Sequence, residues 1–232
     1  MPDEFLPGEA PQKRELPFFW LVDRSGSMIG DKIAQVNYAV REVLPELTKA
    51  SANQPSQIMM RVLMFGSGSE WVTPEAVSLE KFEWEDVEAR RDQLTDMGDA
   101  MQTLAEALDE SRMPTRGLPP VIVLLTDGQP TDDFESGLAK AREMRWFKAS
   151  VRAAIAIGSG AQESTLEKFT ENPEMVLRAS NPETLVRFIK WASISLSSQV
   201  SAPALRRDDE SGSVAEEAAA PPEQASSEVV WL

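Results

Sequence analysis

The 232-residue chain contains no cysteine and no histidine. The first absence removes disulfides, thiolate zinc sites and a cysteine nucleophile together. The second excludes Ser-His-Asp and Cys-His catalysis and the usual imidazole ligands, so any metal must sit among oxygen donors and be a hard ion. Basic residues are also scarce, with 23 Lys plus Arg against 38 Asp plus Glu and a net charge of −15. Sequence-independent binding to nucleic acid runs on neutralising phosphates, and this balance argues against it. No apolar run approaches the roughly 18 to 20 residues needed to span a bilayer, so no membrane span is expected. The first 17 residues, MPDEFLPGEAPQKRELP, lack the basic start and apolar stretch of a secretory signal, and a cytoplasmic location is the simplest expectation.

What is present is an alternation of short apolar runs with helical patterns. PFFWLVD, residues 17–23, ends on an acid, and residues 30–50 then carry Ile33, Val36, Val40, Val43, Leu44 and Leu47 at helical spacing. Residues 58–66 read as a buried strand and 70–73 as a short edge strand, whereas 79–84 are ambiguous. Residues 98–112 place Met101, Leu104, Ala105 and Leu108 on one helical face. VIVLLTD, residues 121–127, is a second apolar strand ending on an acid, followed by a helix over 133–148, a strand over 151–157 and a short helix over 163–170. Residues 175–178 suit a last strand, and Asn181-Pro182 is a helix start of the N-cap and first-turn proline kind. This order predicts an α/β, doubly wound, mainly parallel sheet flanked by helices, with one short edge strand. The expected organisation is an N-terminal extension over 1–13, one domain over 14–201 and an acidic Ala/Ser/Glu/Pro-rich tail over 202–232, expected to be disordered.

In open parallel sheets, ligands gather at loops leaving the carboxyl ends of strands. Three such loops carry oxygen: Asp23-Arg24-Ser25-Gly26-Ser27, Leu94-Thr95-Asp96 and Thr126-Asp127-Gly128. Ser25 and Ser27 are short hydroxyls on a tight loop, as a small octahedral cation requires, and Asp23 and Asp127 supply charge directly or through ordered waters. Thr95 adds a hydroxyl. Each acid alone would fit a helix cap equally well; both acids, two Ser and one Thr at one sheet edge favour a metal. For Asp132 and Asp133 capping is favoured over ligation. Arg24, Met28 and Asp31 are expected at the rim, and Trp20, Trp84, Trp146 and Trp191 in packing.

The DxSxS string with a distant Thr and Asp resembles the metal-ion-dependent adhesion site (MIDAS) of von Willebrand factor A (VWA) domains. By that resemblance Asp23, Ser25 and Ser27 match the first loop, Thr95 the second and Asp127 the third. The runs LPFFWLVDRSGSMIGDKI, residues 16–33, and LLTDGQPTDDF, residues 124–134, resemble the bacterial TerY-type tellurium-resistance group in particular. One departure is Gln93-Leu94, where such proteins commonly carry Gly-Gly. The resemblance implies a non-enzymatic module that holds Mg²⁺, with Mn²⁺ or Ca²⁺ as substitutes, and binds a partner protein's Glu or Asp through it. It also implies a setting in stress response or signalling, beside a protein kinase or PP2C-type phosphatase. A rival expectation is an aspartyl-phosphate enzyme with Asp23 as nucleophile. Against it stand Ser25, where a second carboxylate would be expected, and the lack of a plainly placed Lys.

Overall fold

The computed structural model describes residues 13–201; the expected extension up to residue 12 and the acidic tail lie outside the described residues. Seven strands form one sheet in the order β3-β2-β1-β5-β6-β7, with β4 also pairing β2. The strands are β1 (Arg14–Asp23), β2 (Ser56–Gly66), β3 (Gly68–Trp71), β4 (Val77–Ser78), β5 (Val121–Thr126), β6 (Val151–Ile157) and β7 (Val176–Ala179). The β1–β2, β1–β5, β5–β6 and β6–β7 pairs are parallel. At the β2 edge β3 and β4 run antiparallel, so the edge carries two short segments where the sequence suggested one.

Helices α1 (Asp31–Ser51), α2 (Met97–Ala107), α3 (Phe134–Glu143), α4 (Arg145–Ala149), α5 (Glu163–Thr170) and α6 (Pro182–Ser201) cover the two faces. Strand β1 is central and buried on both sides. Its Leu16, Phe18, Trp20 and Val22 join one core with residues of α1 and α6, while Phe19 and Leu21 join a second with residues of α2, α3 and α5. This period of two, apolar at both phases, explains why the central strands read as continuous hydrophobic runs. Trp20 is fully buried and meets Phe18 and Trp84 edge to face, so the packing role expected for Trp20 and Trp84 holds.

Two helices depart from their expected lengths for identifiable reasons. The expected helix over 133–148 is broken at Met144, whose ψ of 129° is extended. Leu138 and Ala141 face the core, and a continuous helix would carry Arg145 onto the same stripe; the break leaves Arg145 in solvent and turns Phe147 inward against Phe169. Helix α2 stops at Ala107 rather than at residue 112, where Asp109 accepts hydrogen bonds from the Ser111 N–H and hydroxyl and starts a separate turn. The ambiguous stretch over 79–84 is a 3-10 turn, Leu79–Lys81, followed by extended chain. The start at Asn181 is as expected: its Oδ1 accepts from Thr184 N at 2.9 Å.

Helices α2 and α3 touch backbone to backbone at their N-terminal turns. A Cβ on Gly98 would lie 2.4 Å from Asp133 O, and one on Gly137 would lie 2.1 Å from Gly98 O. Glycine at both positions therefore sets where the N-terminus of α2, and with it Thr95, sits relative to the loop after β5. Gly137→Ala is expected to cost about 2 kcal/mol of unfolding free energy in urea denaturation, in the range of overpacked cores. A change below about 0.5 kcal/mol would contradict this close approach.

Candidate metal centre

The loops after β1 and β5, and the residues entering α2, converge at the carboxyl end of the sheet. Strand β1 ends at Asp23, which is 0 % exposed. Its Oδ1 accepts from Ser25 N at 2.8 Å, folding the first loop back on its own acid, and its Oδ2 accepts from Thr126 Oγ1 at 2.6 Å, tying β1 to β5. Thr126 Oγ1 in turn accepts from Gly128 N at 3.2 Å. Both oxygens of Asp23 are thus engaged from the chain itself.

The remaining oxygens form a short chain. Ser25 Oγ lies 3.0 Å from Ser27 Oγ, and Ser27 Oγ donates to Asp127 Oδ1 at 2.7 Å. Thr95 joins them: a Cβ on Gly128 would stand 3.3 Å from Thr95 Oγ1 and 3.6 Å from Ser27 Oγ. Glycine at 128 keeps that space open. Thr95 is buried and held by its backbone, its N–H donating to Thr131 Oγ1 at 2.9 Å and its carbonyl accepting from Thr131 N at 3.0 Å. Its own hydroxyl makes no hydrogen bond among the described residues, which leaves it available to a ligand. All five residues singled out in the sequence, Asp23, Ser25, Ser27, Thr95 and Asp127, therefore occupy one neighbourhood.

The donor set fits a small hard cation. Adjacent ligands of an octahedral ion bound at about 2.0 to 2.1 Å stand about 2.9 Å apart. The hydrogen-bonded Ser25–Ser27 and Ser27–Asp127 pairs, at 3.0 and 2.7 Å, are already close enough for a cation to take the place of their protons. No group of three acidic side chains gathers among the described residues, so a cage built of carboxylates is not what these loops form.

Burial pushes the Asp23 carboxyl up from its ordinary 3.8 to about 6; hydrogen bonds from Ser25 and Thr126 oppose the rise, and the nearby charge of Asp127 adds to it. Lys32, in the first turn of α1, was not anticipated. Its Nζ donates to Asp127 Oδ2 at 2.5 Å and to Ser27 O at 3.3 Å, which corrects the expectation that no lysine stands at the site. The signal was available: Lys32 is the second residue of the helix that the DRSGSM loop feeds, close to the acids that loop carries.

Gln93, the departure from the family pattern, is a structural substitute. Its Oε1 accepts from Ser67 N at 2.7 Å and its backbone carbonyl accepts from Gly26 N at 3.1 Å, so it pins the second loop to the first. Asp133 caps the helix that follows it as expected, accepting from Ser136 N, whereas Asp132 caps an earlier helix instead. Asp132 caps α2, accepting from Gly98 N and Asp99 N at 2.8 and 2.7 Å. At the rim, Arg24 pairs with Glu70 at 2.7 Å and Asp31 is exposed. Met28 is fully buried, which corrects its placement at the rim, because the 3-10 turn Gly26–Met28 directs it into the core beneath α1. The exposed apolar side chains flanking the cluster are Ile29 and Leu94.

An open, mainly parallel α/β sheet with this polar cluster at the carboxyl ends of β1 and β5 defines a class of ligand-binding domain. The chain belongs to the von Willebrand factor type A domain family, whose model matches residues 19–191. No curated protein matches the sequence. Among solved structures, proximal thread matrix protein 1 from the mussel byssus, with a zinc-occupied MIDAS motif, is 19% identical with a TM-score of 0.62 over 80% of this chain. The match covers 48% of the mussel protein, so this chain spans about half its length. A von Willebrand factor type A protein from Catenulispora acidiphila is 16% identical at a TM-score of 0.56, covering 78% of this chain and 42% of the other. BatB from Bacteroides thetaiotaomicron is 13% identical at 0.57, covering 78% of this chain and 98% of BatB. At these identities the likeness is one of fold. No helix among the described residues is long and apolar enough to cross a membrane.

The raised Asp23 carboxyl has a signed consequence for stability. Between about pH 4 and pH 6 the folded chain holds a proton on Asp23 that the unfolded chain has lost, so stability falls as pH rises through that window. The full cost above pH 6 is on the order of 3 kcal/mol for a shift of about two units. In metal-free buffer Asp23→Asn should therefore be more stable than the wild type at pH 7, with the two converging near pH 4. Parallel curves from pH 4 to 7 in urea titrations would contradict the assignment.

Proposed function

We propose that this chain is a non-enzymatic, divalent-metal-dependent protein-interaction module. The observation that carries the reading is the convergence of the Ser25, Ser27 and Asp127 oxygens in one hydrogen-bonded chain beside the unengaged Thr95 hydroxyl. In this reading Ser25, Ser27 and Asp127 hold the ion, Thr95 adds a hydroxyl, and Asp23 fixes the first loop and contributes charge. The ion supplies a Lewis-acidic open position that a Glu or Asp of the partner completes. Hard oxygen donors favour Mg²⁺, with Mn²⁺ or Ca²⁺ able to substitute. The zinc in the mussel protein's MIDAS supports a divalent ion without fixing which one.

A chain of net −15 repels an acidic partner at range, and the ion offsets that repulsion at the point of contact. Exposed Ile29 and Leu94 beside the cluster give the partner's acid an apolar surround. The likeness of residues 16–33 and 124–134 to the TerY-type group supports a cytoplasmic role in bacterial stress response or signalling, with a protein kinase or PP2C-type phosphatase as the partner class. Against the aspartyl-phosphate alternative, Asp23 is fully buried with both oxygens accepting hydrogen bonds, so neither oxygen is exposed to a phosphate for in-line attack.

Titration calorimetry tests the reading. Wild type should bind Mn²⁺ and Mg²⁺ at one site, and Ser25→Ala and Asp127→Ala should lose at least tenfold in affinity; equal binding in all three would sink it. Lys32 holds Asp127 against any incoming cation, so Lys32→Met should tighten Mn²⁺ binding by about tenfold, or about 1.4 kcal/mol. Unchanged or weaker binding in Lys32→Met would show that Lys32 does not compete.

A further inference from the structure

The end of the sheet opposite these loops carries the reverse charge. A cavity of about 910 Å³ is lined by Lys13, Arg14, Arg116 and Arg145, with Glu15 as its one acid and Trp146 at its wall. In a chain of net −15 this is a local excess of cations. Arg14 directs its guanidinium to the carbonyl oxygens of Arg116 and Gly117 at 3.3 and 3.0 Å, not to an acid. Arg145 meets Glu110 only at 3.7 Å, with both side chains largely exposed, a pairing of little strength in water. No carboxylate of the described residues pairs with Lys13, Arg14 or Arg116. Trp146 is half-buried with the Arg145 guanidinium 6.0 Å from its ring, so the cavity joins cationic groups to an aromatic face. The packing role expected for Trp146 is thus only part of its surroundings.

Helix α6 delivers an acidic segment to this same end. Its last residue, Ser201, has its Oγ 2.5 Å from Ser56 Oγ, and Ser56 is the register partner of Arg14 across β1–β2. The chain therefore leaves α6 within about 12 Å of the strand position of Arg14, one strand spacing plus one side-chain contact. Seven residues later come Asp208, Asp209 and Glu210 in succession, and residues 203–232 hold seven acids, two Arg and no Lys. Seven residue steps span up to about 23 to 25 Å, enough to bring that triplet over the cavity, and the tether holds it at a millimolar effective concentration.

We propose that the acidic segment of residues 202–232 docks in this basic cavity through Asp208, Asp209 and Glu210. The cavity is thus a site for an acidic peptide, occupied within the same chain. Its cations gain the counter-charge that the described residues do not give them, and an acidic partner reaches the cavity only by displacing the segment. This docking does not depend on the metal reading, since it uses the other end of the sheet.

Carbodiimide coupling on the full chain tests it, because the reagent condenses a carboxyl with a lysine amine held in contact, with loss of water. The segment has no Lys, so its acids can couple only to amines elsewhere. At low salt, peptide mapping should find Asp208, Asp209 or Glu210 joined to Lys13 in preference to other lysines, with a yield independent of protein concentration. Raising NaCl to 1 M, and separately the double change Arg116→Glu with Arg145→Glu, should each lower that yield at least fivefold. Both arginines are exposed, and circular dichroism checks that the variant folds. Coupling spread evenly over the lysines, coupling unaffected by the double change, or coupling only between two chains would each overturn the proposal. So would coupling of Lys13 to acids of residues 1–12 in place of those of the segment.

Discussion

Two carboxylates, Asp23 and Asp127, are brought together and buried at the ends of adjacent parallel strands, and offsetting the cost of burying their charge is the constraint on which the site's arrangement depends. The sheet forces the meeting: β1 and β5 are register partners through Phe18 to Val22, so the residues that follow them emerge side by side. Each acid is held by a different device. Asp23 is surrounded by donors from its own loop and from Thr126, and its carboxyl still rises to about 6 because burial outweighs those bonds. Asp127 is met by Ser27 and by the Lys32 ammonium. A divalent cation would offset the same buried charge more fully, which is the physical reason for reading the cluster as a metal site.

The two ends of the sheet are electrostatically unlike. The carboxyl end gathers acids and hydroxyls, and the amino end gathers Lys13, Arg14, Arg116 and Arg145. Because β1, β2, β5, β6 and β7 are parallel, the loops that leave them lie at one end and those that enter them at the other, so the chain can keep the two charge populations about a strand length apart. That separation exceeds the Debye length of roughly 8 Å at physiological salt, and each end can therefore bind its own kind of ligand without disturbing the other.

Much of this was legible in the sequence because it depends on short-range pattern. The apolar runs ending in Asp23 and Asp127, the strand at Val151–Ile157 and the helix at Glu163–Thr170 stand where their spacing places them. The five oxygen-bearing residues are together because each lies immediately after a strand or before a helix, where topology leaves little freedom. What was not legible depended on contacts distant in sequence. Lys32 reaches Asp127 across 95 residues, Asp132 caps a helix that begins before it in the chain, and the break at Met144 follows from Phe147 meeting Phe169. Gln93 is the instructive case. Its identity departs from the family pattern, yet its amide and carbonyl tie Ser67 and Gly26 in place.

The most direct measurement is anomalous diffraction from crystals grown with Mn²⁺. The account predicts one strong peak bounded by Ser25 Oγ, Ser27 Oγ and the Asp127 carboxylate, with the Lys32 ammonium moved off Asp127 Oδ2. Millimolar Mn²⁺ giving no peak there, with Lys32 still bonded to Asp127, would contradict it.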